Sequence, residues 1–224
     1  MFSFDGIRFA RFEPRTGEDL PAAPTRGLLA TRDGSLWIVF SSGSVSRLLN
    51  GHVTSYSERE GLPATFSLVE CKDGSLIAGT TKGLALFKGG IWKDVTREWN
   101  FPVKRARTVY FDKAGTLWVA TEDKIVYLPS GQKQFVDPVE MAQSAHDFAE
   151  APDGAIWISE TERSAHTVRR FDDRSPMTEV RVGASWVLFD RNGSLWVSSV
   201  GDGLAVLLIQ TESEAIKLSS LAGN

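Results

Sequence analysis

The sequence predicts an all-β fold, a β-propeller of about five four-stranded blades with a repeat near 40 residues. Three observations predict it. A turn followed by a large aromatic residue recurs at nearly even spacing. Each copy is flanked by runs of strand composition. Nowhere do apolar positions recur at helical spacing over a long window.

The recurring segments are DGSLW (Asp33–Trp37), DGSLI (Asp73–Ile77), AGTLW (Ala114–Trp118), DGAIW (Asp153–Trp157) and NGSLW (Asn192–Trp196). Their glycines are Gly34, Gly74, Gly115, Gly154 and Gly193, separated by 40, 41, 39 and 39 residues. An apolar run precedes each glycine: GLLAT, SLVEC, TVYFD, DFAEA and WVLFD. A second run, rich in aromatic and β-branched residues, follows it: LWIVF, LIAGT, LWVAT, IWISE and LWVSS. The Asp-Gly or Asn-Gly pair between most of them is a hairpin-turn signal. A third run (SVSRLL, LALF, IVYL, VRRF, LAVLL) follows in every unit, and a fourth (HVTSYS, IWKDV, KQFVD) in three. Four short antiparallel strands in about 40 residues make one propeller blade.

This spacing places repeats at about 25–60, 65–100, 105–140, 145–182 and 184–210, after a partial blade in 1–20 and before a tail in 211–224. The chain opens in mid-unit, with SFDG as the end of a third strand and IRFARF as a fourth. Two arrangements fit. The N-terminal strand completes the last blade, which lacks a clear fourth strand after LAVLLIQ, and hides both edges. Alternatively the chain is an arc of a larger propeller, whose open blade edges expose apolar surface and favour homo-oligomers.

The glycines and indoles are read as scaffold. Gly34, Gly74, Gly115, Gly154 and Gly193 give the tight turn its backbone freedom. Trp37, Trp118, Trp157 and Trp196 point into the space between neighbouring blades, where a flat side chain buries a large area. Ile77 stands in for the indole in the second unit, which favours packing over ligand stacking.

Composition bounds the partners. The 224 residues are 42% hydrophobic and 24% charged, with net charge -3 and pI about 5.7. That suits a globular domain and sets nucleic acid aside, because a binder would carry a basic stripe. The apolar stretch Leu204–Ile209 is too short to cross a bilayer, so no membrane contact by the chain itself is expected. The N-terminus lacks a basic region followed by an apolar core, so no signal peptide is read there and the chain as written is expected to be cytosolic unless an upstream portion is missing. Cys71 is the only cysteine, which excludes an internal disulfide or a cysteine-rich zinc site. The three histidines show no metal-ligand spacing, and no cofactor is implied.

EGLPATFSLVECKDGSLIAGTTKGLALFKGG (Glu60–Gly90), KAGTLWVAT (Lys113–Thr121), RNGSLWVSS with DGLAVL (Arg191–Leu207) and FDG (Phe4–Gly6) resemble the two-component-regulator propeller repeat. That family's pattern runs G-L-P, an apolar strand, D-x-x-G-x-L-W-x-G-T, then G-L-x-R-F-D-G. The fourth unit departs most, with an insertion at TERSAH (Thr161–His166). The resemblance implies a sensor propeller outside the cytoplasmic membrane of a bacterial signalling protein, binding small molecules, often saccharides. Any kinase activity would then reside in domains absent from this chain. PDGAIWISE (Pro152–Glu160) also resembles the virginiamycin B lyase type of propeller, which implies a lyase or hydrolase instead.

In such a fold the entrances of the innermost strands form a binding mouth. Eight residues before each glycine stand Arg26, Phe66, Arg107, His146 and Ser185; seven before stand Gly27, Ser67, Thr108, Asp147 and Trp186. These positions vary between repeats, whereas the following apolar positions do not. Candidate ligand-binding residues are therefore Arg26, Phe66, Arg105, Arg107, His146, Asp147, Ser185 and Trp186, with Lys104 beside them. Arginine forks and aromatic faces suit a saccharide or an organic anion. No catalytic constellation is read: His146 and Asp147 are neighbours that a regular strand would direct to opposite faces. His52 and His166 fall in an outer strand and the insertion, and Glu58, Glu60, Glu98, Glu160 and Glu162 are read as solvated turn residues. Should the chain be an enzyme, His146 is the candidate general base.

Overall fold

The computed structural model describes residues 2–4, 8–11, 19–102, 104–136, 145–162, 165–171, 179–180, 185–199, 203–208 and 217–220. The chain divides into two compact units, Met1–Ala106 and Arg107–Asn224.

The repeated turn is the local seed of every sheet. Its five glycines have φ between 82° and 88°, a left-handed conformation that only glycine adopts without strain. A nearby aspartate ties each turn, in one of two ways. In the first two repeats Asp33 and Asp73 accept the amide and hydroxyl of Ser35 and Ser75, and Asp153 accepts the amide of Ala155 in the fourth. In the third and fifth, the aspartate sits two residues earlier. Asp112 accepts the Thr116 amide at 2.7 Å and the Trp118 indole at 2.9 Å; Asp190 accepts the Ser194 amide and the Trp196 indole, both at 2.9 Å.

In the first unit, β1 (Phe2–Phe4) and β2 (Phe9–Arg11) pair with each other. The first repeat then forms an antiparallel meander of β3 (Thr25–Ala30), β4 (Leu36–Phe40), β5 (Val45–Leu49) and β6 (His52–Tyr56). A 3-10 turn, Glu58–Glu60, follows, capped by Ser57 and closed by Gly61. The second repeat is the meander β7 (Thr65–Glu70), β8 (Leu76–Thr80), β9 (Gly83–Lys88) and β10 (Ile91–Asp94).

In the second unit, the third repeat forms β11 (Thr108–Phe111), β12 (Leu117–Ala120) and β13 (Ile125–Leu128). The expected fourth strand in KQFVD is reduced to one bridge, Val136 to Tyr127. The fourth repeat forms β14 (Ala145–Glu150), β15 (Ile156–Glu162), β16 (Ala165–Phe171) and β17 (Glu179–Val180). The fifth forms β18 (Trp186–Phe189), β19 (Leu195–Ser199), β20 (Gly203–Leu208) and β21 (Lys217–Ser220). This last strand lies in the expected tail, and it pairs with β20, so the fifth sheet takes its outer strand locally rather than from the N-terminus. The repeat boundaries near 140, 182 and 210, the insertion at 163–164 and Gly6 lie outside the described residues.

The core lies between sheets, and one rule of offsets describes it. Within each unit, counting from the turn glycine, residues five before and three after face the following repeat; residues six before, two after and four after face the preceding one. Thus Leu29 and Trp37 pack against Leu68, Leu76 and Ala78. Tyr110 and Trp118 pack against Phe148, Ile156 and Ile158. Ala149 and Trp157 pack against Val187, Leu195 and Val197. Three of the indoles are therefore wedges between sheets, Trp37 and Trp157 buried and Trp118 half-buried; Trp118 and the half-buried Trp196 give their N–H groups to the turn aspartates. Trp37 meets Phe87 edge-on at 4.9 Å and Trp92 at 6.1 Å, a contact of the attractive T-shaped type.

Candidate functional site

The first strands of successive sheets adjoin, β3 with β7 in one unit and β11, β14 and β18 in the other. Their entrances carry the candidate residues. At three of them the register slips by one residue, between Thr25 and Gly27, between Thr65 and Ser67, and between Ala145 and Asp147. The extra residues are Arg26, Phe66 and His146. A β-bulge re-aims the side chain it carries and ends regular pairing, which explains why these positions escape the alternation of the strand below.

In the first unit the structure brings three candidates together. The exposed Arg26 guanidinium lies over the Phe66 ring, 5.0 Å from its centroid, and the exposed Arg105 guanidinium lies 5.4 Å from the same centroid. Each contact is worth about 0.5–1 kcal/mol at an exposed site. Together they gather two planar cationic groups on one ring. Lys104, also exposed, precedes Arg105.

In the second unit the entrances are more occupied. Thr108 donates its hydroxyl to the His146 carbonyl at 2.8 Å, and the Asp147 carboxylate accepts the Val187 amide at 3.1 Å. Side chains seven before the glycine thus bridge one inner strand to the next. Burial pushes the Asp147 carboxyl up to about 6, against the pull of hydrogen bonds from the Val187 and Phe148 amides. Arg107 is half-buried and its amide donates to Ala120; Ser185 donates its amide to Ser198 and its carbonyl accepts the Ser159 hydroxyl at 3.4 Å. Trp186 stays 52% exposed. The bulge at His146 also removes the strand alternation that would separate it from Asp147.

One charged pair departs from its expected setting. Glu160 is not a solvated turn residue: it is 4% exposed, on β15, and paired with Arg169, itself 4% exposed. The same position, six after the glycine, holds Thr80 and Thr121 in the second and third repeats. Their hydroxyls donate to the carbonyls of Gly83 and Lys124 and close short hairpins. In the fourth repeat the strands run on to Glu162 and Ala165, and the ion pair replaces that closure. The glutamate in IWISE, where the other repeats carry phenylalanine, threonine or serine, is the signal that marks it. His52 is exposed on β6 as expected, and the side chain of His166 lies outside the described residues. Cys71 is half-buried, and burial pushes its thiol up.

Among the described residues no group of histidine, cysteine and acidic side chains could hold a metal ion, and no helix is long and apolar enough to cross a membrane.

By sequence, no family model and no curated protein matches the chain. By structure, its neighbours are propellers. One is the extracellular domain of a protein assigned as a hybrid two-component system of B. thetaiotaomicron: TM-score 0.71, 17% identity, 89% of this chain and 28% of that one. Another is a catalytically inactive virginiamycin B lyase of Staphylococcus aureus with quinupristin: TM-score 0.68, 18% identity, 90% of this chain and 71% of that one. A third is assigned as a gluconolactonase, with TM-score 0.63, 16% identity and coverage of 82% and 74%. At these identities the likeness shows the fold, a β-propeller, and the neighbours include both sensor domains and enzymes.

Proposed function

We propose that this chain is a recognition module: a propeller that binds a small oxygen-rich or anionic molecule, a saccharide or an organic acid, and performs no chemistry of its own. Its place is a bacterial signalling protein, outside the cytoplasmic membrane, with output in other domains. The sensor domains among its structural neighbours support that placement. The observation that carries the binding role is the convergence of Arg26 and Arg105 on Phe66 at the entrance of β7. A guanidinium offers paired donors to a carboxylate or vicinal hydroxyls, and the phenyl ring fixes where both forks stand.

The test is calorimetric titration with a panel of uronic acids, neutral saccharides and dicarboxylates. Arg26→Ala and Arg105→Ala each weaken an anionic hit about tenfold or more, as the loss of a charge-assisted hydrogen bond predicts. Phe66→Ala weakens both acidic and neutral hits. Binding that ignores all three changes removes the assigned site.

A second reading, a lyase or hydrolase, draws on one specific observation. His146 stands on a bulge beside Asp147, whose carboxyl is pushed up to about 6, and perturbed carboxyls gather at active sites. Turnover of a bound ligand that His146→Ala abolishes, with binding intact, would decide for it.

A further inference from the structure

Among the described residues the offset rule leaves open positions at two places: Leu28, 58% exposed on the side of the first sheet that would face a preceding repeat, and the side of the fifth sheet that would face a following one. On the fifth sheet the positions that elsewhere face a following repeat are Leu188 and Trp196, with Trp186 at the inner entrance. Leu188 is 65% exposed and Trp186 52%, whereas Ala149, the counterpart of Leu188 in the fourth repeat, is buried. The counterparts of Trp186, Thr108 and Asp147, both reach the inner strand of the next repeat. Val187, on the opposite side, is 6% exposed because the fourth sheet covers it.

Charge says what belongs there. Arg32, two before its glycine, donates its amide to the Glu70 carboxylate at 3.3 Å, and its guanidinium pairs with it. Lys113, at the same offset, donates its amide to Glu150 at 2.8 Å, with its ammonium 3.8 Å away. Each glutamate stands four before the glycine of the next repeat. Between the fourth and fifth repeats the basic residue gives way to Pro152, which has no N–H, and the glutamate to Phe189; between the second and third the basic residue stays as Lys72 and the glutamate gives way to Phe111. The fifth repeat follows the third almost residue for residue: Phe189-Asp190-Arg191 answers Phe111-Asp112-Lys113, with the same indole bond to aspartate. Arg191 is exposed.

We propose that this face of the fifth sheet is an unfilled repeat–repeat interface, and that its occupant is a sixth repeat of this propeller carrying a glutamate four residues before its turn glycine. The repeat presents a branched apolar residue to Leu188 and its glutamate to the amide and guanidinium of Arg191. A second copy of the chain offers exposed Leu28 on its first sheet, but no open face with a glutamate at the matching position. Its glutamate-bearing repeats, the second and fourth, already have the matching faces packed against Trp37 and Trp118. The first and third repeats have Ala30 and Phe111 where the glutamate is needed.

The test extends the full chain with an added copy of residues 62–106, which brings its own Glu70. Acrylamide quenching, read as the difference between each protein and its Trp186→Phe variant, reports that indole. The extension shields Trp186 severalfold and raises the melting temperature by several degrees. Glu70→Lys in the added copy cancels much of the gain, and Arg191→Glu restores it. A Trp186 as open in the extended protein as in the original, or a charge reversal that restores nothing, overturns the proposal. The unextended chain gives an independent check: Leu188→Asp leaves stability unchanged, while Val187→Asp unfolds the fifth sheet. Equal damage from both would show the face already covered and overturn the proposal. A dimer that Leu188→Asp dissociates would assign the face to a second copy, and would also overturn it.

Discussion

Replacing Asp147 by asparagine should stabilise the protein, and only above mildly acidic pH. The carboxylate accepts the Val187 amide at 3.1 Å, a bond that an asparagine oxygen can keep. Burial raises the carboxyl from 3.8 to about 6 in the folded state. Below 3.8 the group is protonated both folded and unfolded and costs nothing. Between 3.8 and about 6 the unfolded chain ionises first, so stability falls as pH rises; above that range the cost is complete. At about 1.4 kcal/mol per pH unit the ceiling is about 3 kcal/mol. Because the residue is half-buried rather than sealed, about 1–3 kcal/mol is the expected gain at a pH of about 7.5, and less than about 1 kcal/mol at a pH of about 4.

Urea unfolding of Asp147→Asn and the parent across roughly pH 4 to 7.5, followed by tryptophan fluorescence, measures it. The difference should grow with pH and level off above about 6. An asparagine variant less stable than the parent at the top of that range, or a gain independent of pH, would refute the account. In either case the carboxylate's bond to Val187 would outweigh its desolvation.

Three other perturbations follow from single contacts. Glu160→Gln and Arg169→Met should each cost about 3–5 kcal/mol, because each strands a buried charge or donor, while the double change to Met recovers most of it by denaturant titration. Asp190→Ala should lower the denaturation midpoint by releasing the Ser194 amide and the Trp196 indole, and Asp190→Asn less; a blue-shifted or unchanged Trp196 emission would count against the indole bond. Gly43→Ala places a methyl 2.6 Å from the Ala64 side chain at a φ of 86°, so a loss above about 1 kcal/mol is expected in thermal melts.

What the sequence made legible is whatever repeats. The turn glycine, the apolar runs and the indole recur because each sheet must solve the same problem of turning tightly and covering its neighbour. Most of their strands fall within a residue or two of expectation, down to β10 in IWKD and β13 in IVYL, while β16 starts three residues before VRRF. The outermost strands were harder. Lys217–Ser220 reads as a polar tail, since a rim strand needs backbone partners and no apolar face. KQFVD has strand composition yet contributes one bridge. The bulges at Arg26, Phe66 and His146 leave no mark in composition, because an extra residue changes register without changing chemistry.

Variation between repeats, the signal that singled out the inner entrances, can have two causes. A ligand site varies because each side chain meets a different part of one asymmetric molecule. An inter-repeat bridge varies because each side chain needs to match only its own neighbour. Thr108 and Asp147 are of the second kind, their polar atoms directed at the carbonyl of His146 and the amide of Val187. Arg32 with Glu70 and Lys113 with Glu150 show the same pairwise logic at the turns. Arg26, Phe66 and Arg105 form a different grouping, two like charges gathered on one ring. The charges repel each other across it, and an anion lying between them attracts both. A site that holds a carboxylate gains one charge-assisted hydrogen bond from each.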